Sequence, residues 1–311
     1  MHIFNDLSNL PKVEDTILTL GIFDGVHLGH KKIFEKLKKK AALLNCRNLI
    51  ITFSPHPRNV INGKGEIMLL TTTEEKIRLF EEIGIENLLI LNFTKEFSQL
   101  SSEKFFKEYI IEKIGIKEII VGYDHHFGKG RSGDVNTLRK MGIEYGFEVT
   151  TVEPFKIIDE AVNSTKIRKA LSEGNINTAS AFLGRKYSFS GTVIEGDKRG
   201  RELGFPTANI CIDDDEKLLP ALGIYAVEFM FDDEKHKGLL SIGIRPTFYS
   251  SGKIIPEVYL YDFHREIYNK KISVKIIDWI RAEEKFPSAE ALVEQMQKDK
   301  IKGLEIFKKA S

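Results

Sequence analysis

The chain has little cysteine and no long apolar run. Its 311 residues include two cysteines, Cys46 and Cys211, far apart and outside any C-x-x-C pair. That spacing excludes a secreted-type disulfide framework, and both thiols read as reduced core residues. A dominant charge is missing too: 46 Lys and Arg stand against 45 Asp and Glu, for a formal net charge of +1. Such a balance offers no chain-wide attraction to a nucleic-acid backbone or an anionic membrane. No stretch approaches the ~20 apolar residues that cross a bilayer. The opening MHIFNDLSNLPKVED lacks the basic start and apolar run of a secretory signal. The expectation is a cytoplasmic protein that binds neither nucleic acid nor membrane, with an oligomeric state that is not evident. Internal repeats and low-complexity segments are also missing.

At this length two cores are expected. Up to about residue 183, short apolar runs alternate with helix-period stretches. The pattern predicts strands over 16–20, 48–53, 87–91, 118–122 and 147–152, and helices over 31–44, 73–83, 102–113 and 135–145. That alternation is the signature of a Rossmann-like α/β domain, a parallel sheet covered on both faces, with ligands at the carboxyl ends of its strands. A helix over 164–172 and the stretch GNINTASAFLGRKYSFSG follow, and then the texture changes. Strands over 187–194, 225–231, 237–244, 256–263 and 272–280, closed by a helix over 289–309, predict a small antiparallel β-barrel. The boundary falls near Gly184, giving domains 1–183 and 184–311.

Between the first strand and a basic amphipathic helix lies GIFDGVHLGH, Gly21 to His30. The first amides of a helix have no intrahelical acceptor and its dipoles converge there, so an anion is at home. His27 and His30, three apart, can face one ligand, and Gly25 and Gly29 let the backbone bend and approach it. An isolated H-x-x-H reads equally well as a glycine turn with two solvated histidines. Phe23, Asp24 and the glycines Gly21, Gly25 and Gly29 at these spacings favour a triphosphate site.

This segment resembles the signature GNFDGVHLGH of the bacterial bifunctional riboflavin kinase/FMN adenylyltransferases, or FAD synthetases, with Ile22 where that family often has Asn. Its His-x-Gly-His core is shared with a wider nucleotidyltransferase superfamily. TFSPHP, Thr52 to Pro57, is similar to the family's TFxPHP, and its prolines fix a loop at the same sheet edge. His56 by itself reads as a packing histidine; the resemblance implies that His56, Pro57 and Asp124 contact flavin. Asp124 opens the long loop VGYDHHFGKGRSGD, where His125 and His126 replace the family's usual Phe and Arg. Gly128, Gly130 and Gly133 there spell G-x-G-x-x-G, but five residues separate them from the strand, which weakens a dinucleotide-fold reading. A partly basic loop over ATP or flavin, with Arg131 as a phosphate contact, accounts for them better. NSTKIR, Asn163 to Arg168, is similar to ISSTxIR. Asn163 can cap a helix and leave Ser164, Thr165 and, a turn later, Arg168 to receive a leaving pyrophosphate.

In the second half GRELGFPTANI, Gly200 to Ile210, resembles the riboflavin kinase signature GRxLGFPTAN almost residue for residue. Gly200 and Gly204 permit close approach, Pro206 stiffens the turn, and Thr207 with Asn209 offers two oxygen ligands suited to Mg²⁺. In IPEVYLYDF, β periodicity puts Glu257, Tyr259, Tyr261 and Phe263 on one face and Val258, Leu260 and Asp262 on the other. A carboxylate beside aromatics can take a hydroxyl proton, and the matching family Glu is the catalytic base. Tyr259 stands where the family commonly has His. IGIRPTF and DWIRAEEKF also resemble kinase segments. They imply Arg281 as a flavin-phosphate ligand and Phe286 as a stacking partner for the isoalloxazine, whereas Arg245 fits a loop tie equally well.

The resemblance covers essentially the whole chain. It implies an α/β nucleotidyltransferase domain followed by a riboflavin kinase barrel, with riboflavin, FMN, FAD and ATP as substrates and products and Mg²⁺ as cofactor. Riboflavin and ATP would give FMN in the barrel; FMN and ATP would then give FAD and pyrophosphate in the first domain. One rival keeps the transferase and makes the barrel a non-catalytic flavin sensor, against which Thr207, Asn209 and Glu257 speak. Another, an aminoacyl-tRNA synthetase, lacks support in the near-neutral charge and in the lack of a recognisable RNA-binding domain.

Overall fold

The computed structural model describes residues 1–196, 204–243 and 254–310. Two compact units divide the chain, Met1–Ser164 and Thr165–Ser311.

In the first unit six parallel strands form one sheet: β1 (His2–Phe4), β2 (Thr16–Leu20), β3 (Arg47–Ser54), β4 (Asn87–Asn92), β5 (Glu118–Gly122) and β6 (Glu148–Val152). Their order is β1-β4-β3-β2-β5-β6. The helices are α1 (Leu28–Leu44), α2 (Pro57–Asn62), α3 (Thr73–Ile83), α4 (Ser102–Phe105) and α5 (Val135–Tyr145). Residues β7 (Lys156–Ile157) and β8 (Glu160–Ala161) make a small hairpin. The inner strands are mostly apolar and buried along their length because both faces are covered. Ile17, Ile50 and Ile120 pack with Ile33, Phe34, Leu37 and Phe80 on one side. Their neighbours Leu18, Leu49, Ile51 and Ile119 pack with Phe106, Ile110, Leu138 and Met141 on the other. Each such side chain, fully buried, contributes about 1.5–3 kcal/mol.

The helical stretch expected over 102–113 is α4 running into a π-helical turn, Phe106–Ile111. The wider turn lets Phe106 and Ile110 reach the core while Phe105 and Tyr109 pack on Phe97. Helix α3 is held by a reciprocal Thr72/Glu75 cap and ends at Gly84 in the left-handed region.

The second unit begins with α6 (Ser164–Ser172), whose first residue belongs to the other unit, and α7 (Ile176–Leu183). Helix α7 packs on the barrel, with Asn177 bonded to Asp278 at 3.2 Å. The compact grouping thus breaks at the first residue of α6, ahead of the change in texture near Gly184. Strands β9 (Ser188–Ile194), β10 (Thr207–Ile212), β11 (Gly223–Phe231), β12 (Glu234–Ile242), β13 (Glu257–Leu260) and β14 (Lys271–Ala282) close an antiparallel barrel in the order β10-β13-β12-β11-β14-β9. Phe189, Val193, Tyr225, Val227, Leu240, Val258 and Val274 are buried within it, at alternate positions of most strands. Helix α8 (Ala289–Ala310) lays Phe307 against Ala226, Leu239, Ile277 and Ile280. Strand β13 is shorter than the expected 256–263: it stops at Leu260, and Asp262 turns with a φ of 49°. Tyr259 and Tyr261 still share a face, but Phe263 packs away from them, on Phe231 and His236. The cysteines depart from the core expectation: Cys46 is half-buried and Cys211 exposed, both free.

Candidate functional site

In the parallel sheet β3 and β4 follow β2 on one side and β5 and β6 on the other, so chain order reverses at β2 and the crevice for a ligand opens at its carboxyl end. Residues 21–27 occupy that place. Phe23 and Val26 adopt left-handed backbone, φ 51° and 41°, which costs L-residues about 1–2 kcal/mol each and marks a turn held by its surroundings. Buried Phe23 meets the His30 ring edge-on at 5.2 Å and also packs on Phe34 and Phe80. His27 is the N-cap of α1, its Nδ1 accepting from the His30 amide at 3.3 Å. The cap starts the helix at Leu28, ahead of the expected Lys31. The two imidazoles stack, centroids 3.5 Å apart. Gly29 makes this possible, since a Cβ there would lie 3.1 Å from the His27 ring.

The carboxylate of Asp24 is occupied by the fold: it accepts from the amides of Leu70 and Thr71 at 3.1 and 2.9 Å and from the Thr71 hydroxyl. The Gly25 amide donates to Thr71 Oγ1. These bonds tie the turn to residues 70–71. Ser164 donates to the Asp24 carbonyl at 2.9 Å, and Thr165 and Arg168 follow it on α6. His56 is buried and caps α2 by accepting from the Arg58 amide, with Pro57 in the first turn. Asp124 is exposed just after β5. Burial, reinforced by His126 and Arg131, pushes the His125 imidazole down to about 4. Its Nε2 is enclosed with no hydrogen-bond partner among the described residues. Gly128 and Gly133 pack against Ser102, and α5 starts only after an Asp134 cap, so this loop is no dinucleotide turn. Sequence reasoning missed Lys76, a buried lysine that donates to the Ile22 carbonyl. A lysine in an amphipathic helix gives no signal of burial.

In the barrel, β10 and β13 pair so that Asn209 lies opposite Glu257 and Thr207 opposite Tyr259. Residues two apart on a strand share a face, so Thr207, Asn209 and Glu257 converge. The Thr207 hydroxyl donates to Glu257 Oε2 at 3.3 Å. Asn209 is buried against Gly196, where an added Cβ would collide with Asn209 Nδ2 at 1.5 Å. A cavity of about 250 Å³ opens beside Pro206 and Thr207, lined also by Phe263, Arg265 and Tyr268. Gly204 precedes it in the left-handed region, φ 79°. Arg281 is spent differently from the expectation: it forms a bidentate pair with buried Asp299 and donates to the Ala282 carbonyl. Its guanidinium does sit 5.5 Å over the Phe286 ring. Gly200 and Arg245 lie outside the described residues.

A family model described as FAD synthetase matches residues 10–166, and one described as riboflavin kinase matches 183–307. A bifunctional riboflavin kinase/FMN adenylyltransferase of Listeria monocytogenes is 38% identical over 91% of this chain and 90% of its own. The chain belongs to the bifunctional riboflavin kinase/FMN adenylyltransferase family. The protein so named in Escherichia coli K12 is 34% identical, over 97% of this chain and 96% of its own. A crystal structure named as a macrolide-efflux protein from Streptococcus pneumoniae superposes with a TM-score of 0.86 at 29% identity, covering 96% of this chain and 97% of that one. Among the described residues of this family member, no helix is long and apolar enough to cross a membrane.

As a bifunctional riboflavin kinase/FMN adenylyltransferase, the protein uses ATP twice, first to phosphorylate riboflavin and then to adenylylate FMN. Neither half needs a covalent protein intermediate. Both reactions join a flavin oxygen to phosphorus, and positioning with electrostatic stabilisation accounts for most of such catalysis.

Proposed function

We propose that residues 1–183 carry FMN adenylylation around His27 and His30, and residues 184–311 carry riboflavin phosphorylation around Thr207, Asn209 and Glu257. The observation that carries the reading is the meeting of Thr207, Asn209 and Glu257 on adjacent strands, the first and last joined by a hydrogen bond. Glu257 takes the proton of the riboflavin hydroxyl while its oxygen attacks the γ phosphorus and ADP leaves. A sensor would need no base in that place.

Mg²⁺ fits the donor set there. The hydrogen of the Thr207 hydroxyl is committed to Glu257, which leaves its oxygen lone pairs for a cation. Thr207 and Asn209 would hold Mg²⁺ together with nucleotide phosphates, as suits a cation that prefers oxygen and keeps waters. When bound, it neutralises charge on the phosphates. Gly204 and Pro206 shape the turn that admits the nucleotide.

In the first half an FMN phosphate oxygen attacks the α phosphorus of ATP and pyrophosphate leaves. His27 and His30 offer imidazole donors to phosphate oxygens at the helix start, and Ser164, Thr165 and Arg168 receive the leaving group. Gly21, Phe23, Asp24, Gly25 and Gly29 hold this turn in shape around ATP. His56, Pro57 and Asp124 border the flavin in this half, and Phe286 borders it in the other. The free thiols and near-neutral charge support a cytoplasmic setting.

Paired substitutions test the assignment. His30→Ala is expected to abolish FAD formation and spare FMN formation, and Glu257→Ala to do the reverse with supplied FMN, both followed by chromatography of products. If either variant, still folded, loses both activities, the two-site reading fails.

A further inference from the structure

Lys76 lies on α3, outside every motif that carries the family resemblance, and is only 6% exposed. An ammonium has three hydrogens, and three oxygens meet this one: the Ile22 carbonyl at 3.1 Å, the Thr52 hydroxyl at 3.1 Å and the Phe53 carbonyl at 3.5 Å. Thr52 passes its own hydrogen to the same Ile22 carbonyl at 3.0 Å. Ammonium and hydroxyl together therefore clasp the turn before His27 to the end of β3. The contacts from β3 are neutral oxygens, and the charge that steadies the ammonium is that of Asp24 in the turn itself. Burial nevertheless pushes Lys76 down to about 8. An enclosed ammonium is a costly way to fill space, and methionine would pack the same slot without that cost.

We propose that Lys76 is a positioning residue for FMN adenylylation, fixing the 21–25 turn on the end of β3 so that His27 and His30 meet the triphosphate in register. The inference rests on the reading of those histidines as the phosphate site. Lys76 acts through the backbone of the turn, so its loss moves the histidines slightly instead of removing a ligand group. A displacement of that size slows the chemical step more than it weakens binding.

The test is steady-state kinetics on the full chain. In Lys76→Met, adenylylation kcat is expected to fall about tenfold to a hundredfold, with KM for FMN and ATP within about threefold of wild type. Riboflavin phosphorylation, in the other half, serves as the internal control and stays at the wild-type rate. Lys76→Arg, which keeps the charge and donors, recovers part of the loss. Should Lys76→Met disturb the fold of the first unit, seen as lost amide protection in β2 and β3, Thr52→Val supplies the second measurement. It cuts the same clasp from the other side, and its kcat is expected to fall in the same direction at constant KM. Wild-type kcat in folded Lys76→Met, a purely KM effect, or an unaffected Thr52→Val overturns the inference. His30→Ala separates the two claims: full adenylylation in that variant sinks the histidine reading, whereas its loss beside an active Lys76→Met sinks only the role of Lys76.

Discussion

A carboxylate on a barrel strand is ordinary until something is placed opposite it, and at Glu257 that something is Asn209, with the Thr207 hydroxyl bonded to its oxygen. Glu257→Gln keeps the shape and removes the carboxylate proposed as base, so riboflavin phosphorylation is expected to drop about 10²–10⁴-fold with adenylylation of supplied FMN unchanged, measured as ADP and FAD release. Other residues reveal themselves through pH. Enclosure pushes His125 down to about 4 from its ordinary 6.5. Above pH 6.5 the ring is neutral folded or unfolded and contributes nothing to pH dependence. Between 6.5 and about 4 the unfolded chain binds a proton that the folded chain refuses, so the first unit loses stability as the pH falls. His125→Phe is expected to flatten that limb, read as amide exchange of β5 compared at pH 7 and pH 5. Equal slopes in both proteins would show that the imidazole is not the group responsible.

At the level of elements, the sequence declares what periodicity can carry and conceals what depends on distant partners. Helices α3 and α5 begin and end where the pattern puts them, and β2 and β5 match residue for residue, because their apolar runs and caps are local. Strand β10 is hidden by its own chemistry: Thr207 and Asn209 are polar and follow a proline, so PTAN reads as a turn until β13 pairs with it. Helix α7 is short and rich in small residues, and needs its Asn175 cap and Gly184 stop to be recognised. That His27 and His30 stand together at the start of α1 was legible, whereas their stacking and the capping of α1 by His27 were not. Arg281 shows the same limit, since its partner Asp299 sits on α8, eighteen residues away. That pair is enclosed, and removing one member strands the other charge. Asp299→Ala is expected to cost the barrel about 3–5 kcal/mol. Trp279, the chain's single tryptophan, lies in β14, so the denaturant midpoint of its fluorescence measures the change.

For the whole molecule, two units with separate cores carry two reactions in which the product of one is the substrate of the other. Each unit packs its own core: the parallel sheet is covered on both faces, and the barrel joins its last strand to its first. On the proposed assignment each step draws its nucleotide-binding turn from its own stretch of sequence, residues 1–183 for adenylylation and 184–311 for phosphorylation. FMN is a soluble dianion that exchanges with solvent, so a defect in one half of one molecule should be made good by the intact half of another. A mixture of His30→Ala and Glu257→Ala proteins is therefore expected to convert riboflavin to FAD, although each variant alone stops at FMN or does not start. FAD should appear after a lag that shortens as the concentration of either protein rises, because free FMN must build up before the second reaction runs. Chromatography of timed samples reads both species. A mixture that makes FMN but no FAD, beside a wild type that makes both, would mean that FMN reaches the adenylylating half only from its own chain.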